Sequence, residues 1–272
     1  MEYDNKKYKN IYDDIYSNIE SYNFKNSAKE ICVDIYASTV EGKILDAGCG
    51  QGGNLRRLFD YGYDVFGIEI SSVCCDKYLI DLPHKNIDII EYSKEGNIYD
   101  GIICMDVLEH IPYDNLGELL KALSNMTKTA FFGIANHSDI IRGQELHLIQ
   151  EDKQWWKNEL SKYFKNVEFV FDQFDGIFYY FYCSNITVQD ITYKLLKNMK
   201  RIVMLDNLYL DVLSQNDKLM ELLNVNNTTF ENKLRIKQEY CTNLENENVE
   251  LKKELNLIKN TKWWRLHEKI IK

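Results

Sequence analysis

The sequence predicts an α/β protein: a doubly wound, mainly parallel seven-stranded sheet with an antiparallel C-terminal hairpin, followed by a long helical extension. Three observations carry this. From about residue 28 to 183, short apolar runs alternate with longer amphipathic ones, the pattern of repeated βαβ units. The stretch ILDAGCGQGG at 44–53 stands between a strand-like and a helix-like run, at the first βα turn, where open α/β sheets bind ligands. Beyond Gly176 there is no glycine or proline, and Asn, Lys, Glu and Leu dominate after residue 185.

Taken in order, the strand-like runs are Lys43–Ala47, Asp64–Ile70, Ile87–Ile90, Asp100–Met105, Thr129–Ala135, Val167–Phe171 and Gly176–Cys183. Helix-like runs fall between several of them, at Asn54–Tyr61, Ser72–Ile80, Asn115–Met126 and Asp152–Phe164. The last two strands are joined by the short Asp172–Asp175 segment, so they pair antiparallel. Three parts are expected: 1–185 as the α/β domain, 186–222 as a helical connector and 223–272 as a helical tail. In the tail a heptad runs through Leu223, Phe230, Lys237, Leu244, Leu251 and Ile258 at one seam position. Met220, Asn227, Leu234, Cys241, Asn248 and Leu255 occupy the other, so a coiled coil with polar interruptions is expected, and with it a homo-oligomer. One long helix packed on its own domain is the alternative.

The 272 residues, 45% hydrophobic and 13% aromatic, can bury a sizeable core and exclude general disorder. A formal net charge of -9 argues against broad nucleic-acid binding. Seven cysteines form no C-x-x-C pair, which fits reduced thiols in the cytoplasm rather than a disulfide framework or zinc cage. The start MEYDNKKYKNIYDD has no apolar core, so no signal peptide is expected, and GIFYYFYC is too short to span a bilayer. The ending KNTKWWRLHEKIIK interleaves Trp263, Trp264, Leu266 and Ile270 with cations. It suits an anionic membrane surface or a docking partner, or else a capped and packed helix end.

Gly48, Gly50 and Gly53 satisfy G-x-G-x-x-G, which alone is a weak sign of a nucleotide. Asp46 narrows it, because a carboxylate there repels a pyrophosphate but pairs with an ammonium group. Glu69 ends the second strand in VFGIEIS, placed to grip both hydroxyls of a ribose. DGIICMDVLEHIP then supplies a fourth strand ending in Asp106-Val107-Leu108-Glu109-His110.

With these three motifs, in this order, Lys43–Cys183 resembles the Rossmann-like, seven-stranded S-adenosylmethionine-dependent methyltransferases. The resemblance implies that Asp46, Ala47, Gly48 and Gly50 surround the methionine part of the cofactor. Glu69 would hold the ribose, with Ile70 beside the adenine. Glu91 and Tyr92 would flank the adenine, although the family more often has a plain aspartate there. Asp106 and Val107 would lie near the sulfonium. Tyr12 and Tyr16, spaced to share a helix face, would close over the site or simply pack their helix on the sheet.

For a hydroxyl acceptor the protein must also remove a proton. Of five histidines, His110 follows the fourth strand and His137 the fifth, at the same sheet edge, while His147 precedes a tryptophan-bearing helix. His110 is the first candidate base, with a structural role as the alternative; His137 and His147 suit acceptor lining better. His84 falls in an expected surface turn and His267 in the tail. A Glu145/His147 metal pair lacks a third ligand nearby, so no metal is expected. NHSDIIRGQELHLIQEDKQWW resembles bacterial surface-polysaccharide methyltransferases, and WWRLHEKI is similar to tails of glycan-assembly proteins. These looser likenesses, with Trp155, Trp156, Tyr179 and Tyr180, imply a sugar, nucleotide-sugar or glycan acceptor. A small-molecule methyltransferase of the ubiquinone-pathway type shares DVLEH and is the nearest alternative; a scaffold acting through its tail, at the inner face of the membrane, is another.

Overall fold

The computed structural model describes residues 5–19, 27–187, 198–199, 201–205, 208–209, 211–216, 218 and 230–259. The chain divides into two compact units, Met1–Lys200 and Arg201–Lys272. The first unit begins with α1 (Asn5–Asn18) and α2 (Ser27–Ala37) and continues through β1 (Ile44–Ala47), α3 (Gly53–Asp60), β2 (Val65–Glu69) and α4 (Ser72–Tyr78). Next come β3 (His84–Asn86), α5 (Ile89–Ser93), β4 (Tyr99–Met105), α6 (Tyr113–Asn125) and β5 (Thr127–Ala135). A small hairpin of β6 (Ile140–Ile141) and β7 (Gln144–Glu145) precedes α7 (Lys153–Leu160), β8 (Asn166–Gln173) and β9 (Phe178–Ser184).

The seven-stranded sheet has the order β3-β2-β1-β4-β5-β9-β8. The first five strands are parallel, and β9, last in the chain, inserts antiparallel between β5 and β8. The reversal is short because Phe174–Ile177 suffices to turn the chain. Burial on both faces explains why the central strands read as continuous apolar runs. On one face Tyr36 stacks on Phe131 at 5.4 Å, and Tyr180 stacks on Phe171 at 4.6 Å. On the other, the fully buried Phe132 meets Phe164 edge to face at 5.6 Å. Each such ring contributes about 1.5–3 kcal/mol through burial.

Two expectations are corrected. Ile87–Ile90 is not a strand, because Asp88 accepts hydrogen bonds from the amides of Ile90 (2.8 Å) and Glu91 (3.1 Å). That N-cap starts α5 and turns Ile89 and Ile90 into the core as a helical turn. His84, expected in a surface turn, lies instead on the edge strand β3.

In the second unit, α8 (Phe230–Lys259) is a 30-residue helix. Along it Leu244, Asn248 and Leu251 are half-buried, whereas Lys237, Cys241 and Leu255 are exposed. Met220, Leu223 and Asn227 of the heptad, and the WWRLHEKI ending, lie outside the described residues. No helix among the described residues is long and apolar enough to cross a membrane.

Candidate active site

A cavity of about 1050 Å³ opens at the carboxyl ends of β1, β2, β4 and β5, under α1. Its floor is the glycine turn. Gly48 has φ 76° and Gly50 φ 52°, and a Cβ at Gly48 would sit 2.5 Å from Cγ2 of Val107. The backbone can therefore turn left-handed and let a ligand lie against it.

Around this turn the structure gathers carboxylates. Asp46 is buried, and its Oδ2 has no hydrogen-bond partner among the described residues. Burial pushes its pKa up to about 7; the charge of Arg57 opposes this and that of Glu69 adds to it. Glu69 accepts from the amides of Gly50 (3.0 Å) and Ser71 (2.9 Å), tying the turn to the exit of β2. Burial raises its pKa as well, against those amide bonds. Two buried carboxylates on one cavity wall favour a ligand carrying positive charge and hydroxyls. The orphaned oxygen of Asp46 fits the ammonium of S-adenosylmethionine, and the remaining lone pairs of Glu69 fit its ribose.

Most of the residues singled out from the sequence meet here. Asp46, Gly48, Gly50, Glu69, Ile70, Asp106, Val107, Tyr12 and Tyr16 all line the cavity, as do His110, His137 and His147. Ala47, Glu91 and Tyr92 do not. Ala47 points into the core; Tyr92 is buried, bonded to the Tyr99 hydroxyl and stacked on Phe66; Glu91 pairs with Lys94 at 2.6 Å. In their place Ile87, Asp88 and Ile89 border the cavity, because α5 begins before the expected strand would have ended.

Several contributors carried no sequence signal of their own. Tyr8 joins Tyr12 and Tyr16 on the cavity side of α1, at four-residue spacing. Asp13 seats that helix by accepting from the Ser71 hydroxyl (2.6 Å) and the Val73 amide (3.1 Å). Lys29 of α2 pairs with Asp106, a non-glycine residue held at φ 52°. Only the tertiary fold brings these segments to the glycine turn.

The histidines that line the cavity form a cluster. The His110 ring lies 4.7 Å from that of His147, which lies 4.8 Å from that of His137. Nδ1 of His110 meets the Leu146 carbonyl at 3.0 Å, and Nδ1 of His147 meets the His137 carbonyl at 2.6 Å. Each Nδ1 therefore carries the proton and leaves Nε2 as an acceptor. Burial, aided by the His147 ring, lowers the pKa of His110 to about 3. That of His147 is lowered by burial too, with Asp139, 3.9 Å from its Nε2, acting in the opposite sense. Burial therefore disfavours the imidazolium form of both rings, and His147 differs in having a carboxylate, that of Asp139, near its Nε2.

Glu109, between these elements, is fully buried: one oxygen accepts from the Ala135 amide at 2.9 Å and Oε2 has no partner among the described residues. Burial and the neighbouring Asp106 raise its pKa far above the carboxylate range. Ligand atoms of Glu109, His110 and His147 lie within 4.8 Å of one another, and each imidazole is oriented by a carbonyl. Glu145, paired with His147 in the sequence reading, instead accepts from Ser138 and from the amides of Asp139 and His147, which fixes the loop.

Comparison with known proteins agrees with this geometry. A family model described as a methyltransferase domain matches residues 23–179. A ubiquinone biosynthesis O-methyltransferase of Rickettsia bellii is 31% identical over 113 residues, covering 39% of this chain and 45% of that protein. A protein of the same description from Coxiella burnetii is 32% identical over 82 residues, 27% of this chain and 35% of its own length. The chain therefore spans at most about half the length of these curated relatives. Among solved structures, a DhpI–SAH complex superposes with a TM-score of 0.53 at 14% identity, over 66% of this chain and 95% of that one. Magnesium protoporphyrin IX methyltransferase from Synechocystis PCC 6803 with bound SAH gives 0.50 at 16% identity, over 67% and 99%. At those identities the structures establish the fold. With the family match covering more than half the sequence, the chain belongs to the class I, S-adenosylmethionine-dependent methyltransferases.

Proposed function

We propose that this chain transfers the methyl group of S-adenosylmethionine to a hydroxyl of a sugar, nucleotide-sugar or surface glycan. The observation that carries the reading is the histidine cluster lining the same cavity as Asp46 and Glu69. When bound, the cofactor supplies an activated methyl and its own leaving group. The protein's tasks are then to align the acceptor oxygen and take its proton. Nε2 of His147 accepts that proton, and the Asp139 carboxylate 3.9 Å away supports the imidazolium. His110 and His137 pack against the same ring and hold it in place.

A second reading, a phenolic hydroxyl on a ubiquinone-type precursor, is favoured by the O-methyltransferase relatives. Labelled S-adenosylmethionine with a panel of nucleotide sugars and dihydroxyarenes separates the two. Calorimetry tests the foundation: wild-type protein should bind the cofactor and Glu69→Ala should not. A wild-type protein without cofactor binding ends both readings. The helical tail is proposed as an assembly or membrane-docking segment; truncation after residue 190 should leave turnover intact and abolish self-association or vesicle binding.

A further inference from the structure

The turn between β8 and β9 is built against conformational preference. Phe174 and Asp175 take φ 54° and 52°, followed by Gly176 at 92°. A left-handed backbone suits glycine and, less well, asparagine or aspartate; for a bulky aromatic it is a clear outlier. Nor does core packing offset this strain, because Phe174 is 55% exposed. Phe174 nevertheless lines the cavity. The turn is pinned there: Asn136 donates its backbone amide to the Ile177 carbonyl (2.6 Å) and its side-chain amide to the Gly176 carbonyl (3.3 Å).

The ring of Phe174 is also the outer end of a row. Centroids run from Phe174 to Phe178 at 6.2 Å and on to His137 at 5.6 Å. The row continues to His147 at 4.8 Å, to His110 at 4.7 Å and to Tyr12 at 5.9 Å. A row of rings, each meeting the next edge to face, thus leads from the exposed Phe174 past the three histidines to Tyr12. Such a row suits a flat or apolar-faced six-membered ring that slides inward with its hydroxyl leading. Strain retained at a ligand-facing position and unrewarded by burial is characteristic of a binding residue.

We infer that Phe174 is a specificity-determining residue, a strained aromatic platform at the cavity mouth that stacks on the ring of the acceptor, a pyranose or an arene. The inference rests on the methyl-transfer reading above. Its test compares wild type with Phe174→Asn and Phe174→Trp, all full-length and saturated with S-adenosylhomocysteine. Methyl α-D-mannopyranoside and 4-nitrocatechol serve as probes of the two ring types, followed by ligand-observed NMR. Wild type should bind at least one probe. Phe174→Asn should weaken that binding by about 10-fold, on the order of one lost stacking contact, while Phe174→Trp keeps it. Cofactor affinity should be equal in all three proteins. Because asparagine tolerates the left-handed turn, Phe174→Asn should also melt about 2–4 °C higher than wild type. The probe that responds distinguishes sugar from arene. Failure of wild type to bind either probe overturns the inference, as does undiminished binding by Phe174→Asn or a melting point no higher than wild type. Failure of the methyl-transfer reading looks different: wild type then lacks cofactor affinity altogether.

Discussion

Replacing Asp46 by asparagine tests the central electrostatic feature of the site. The folded protein holds the Asp46 proton until about pH 7, whereas an unhindered aspartate releases it near 3.8. Between those values the folded state binds more protons than the unfolded one, so stability falls as pH rises. The contribution of the neutral carboxyl is fully present below 3.8 and lost above about 7. A shift of this size corresponds to about 4 kcal/mol. The substituted amide is neutral throughout, so the variant escapes that loss. Urea unfolding of apo protein, followed by tryptophan fluorescence from pH 5 to 8.5, should show the variant gaining on wild type by roughly 1.4 kcal/mol per pH unit, levelling off above pH 7. The amide's own unpaired N–H group adds a constant cost, so the pH dependence of the difference is the quantity to read. Cofactor affinity should move oppositely. In wild type it rises from pH 5.5 to 8 as Asp46 ionises to meet the ammonium; in Asp46→Asn it is weak and flat. A stability difference that does not vary between pH 5 and 8 would refute the assignment of Asp46 as a buried carboxylate awaiting a cation.

Two further outcomes are expected. Gly48→Ala should lower stability by about 1–3 kcal/mol and cofactor affinity at least 10-fold, because its Cβ meets Val107 at an unfavourable φ; Val107→Ala alongside it should restore only part of the loss, measured by melting and calorimetry. His147→Gln should reduce kcat by about 10²–10⁴-fold with cofactor binding unchanged, whereas His110→Gln should act mainly through acceptor KM; the reverse ranking would return the base role to His110.

Local chemistry wrote part of this protein plainly into the sequence. The glycine turn, Asp46, Glu69 and the end of β4 were legible because strand, turn and helix follow within a few residues and each residue type has few alternatives. The Ile87–Ile90 run misled because four apolar-rich residues fit a strand or a helix equally well, and a single capping side chain, Asp88, decided between them. That same cap displaced the expected Glu91 and Tyr92 from the cavity.

The acceptor side was written only in three dimensions. His110, His137 and His147 could each be named from its place in the chain, but not that two backbone carbonyls would fix two of their rings. Nor could the sequence show that Lys29 would reach Asp106 across 77 positions, or that the cavity mouth would rest on a strained phenylalanine. By itself the sequence determined the cofactor, since a few adjacent residues suffice to hold a nucleoside with a positive charge. The tertiary structure alone decided that His147 faces a carboxylate and that burial lowers the pKa of both His110 and His147. Burial and charge neighbours set those shifts, and both are properties of packing rather than of residue order.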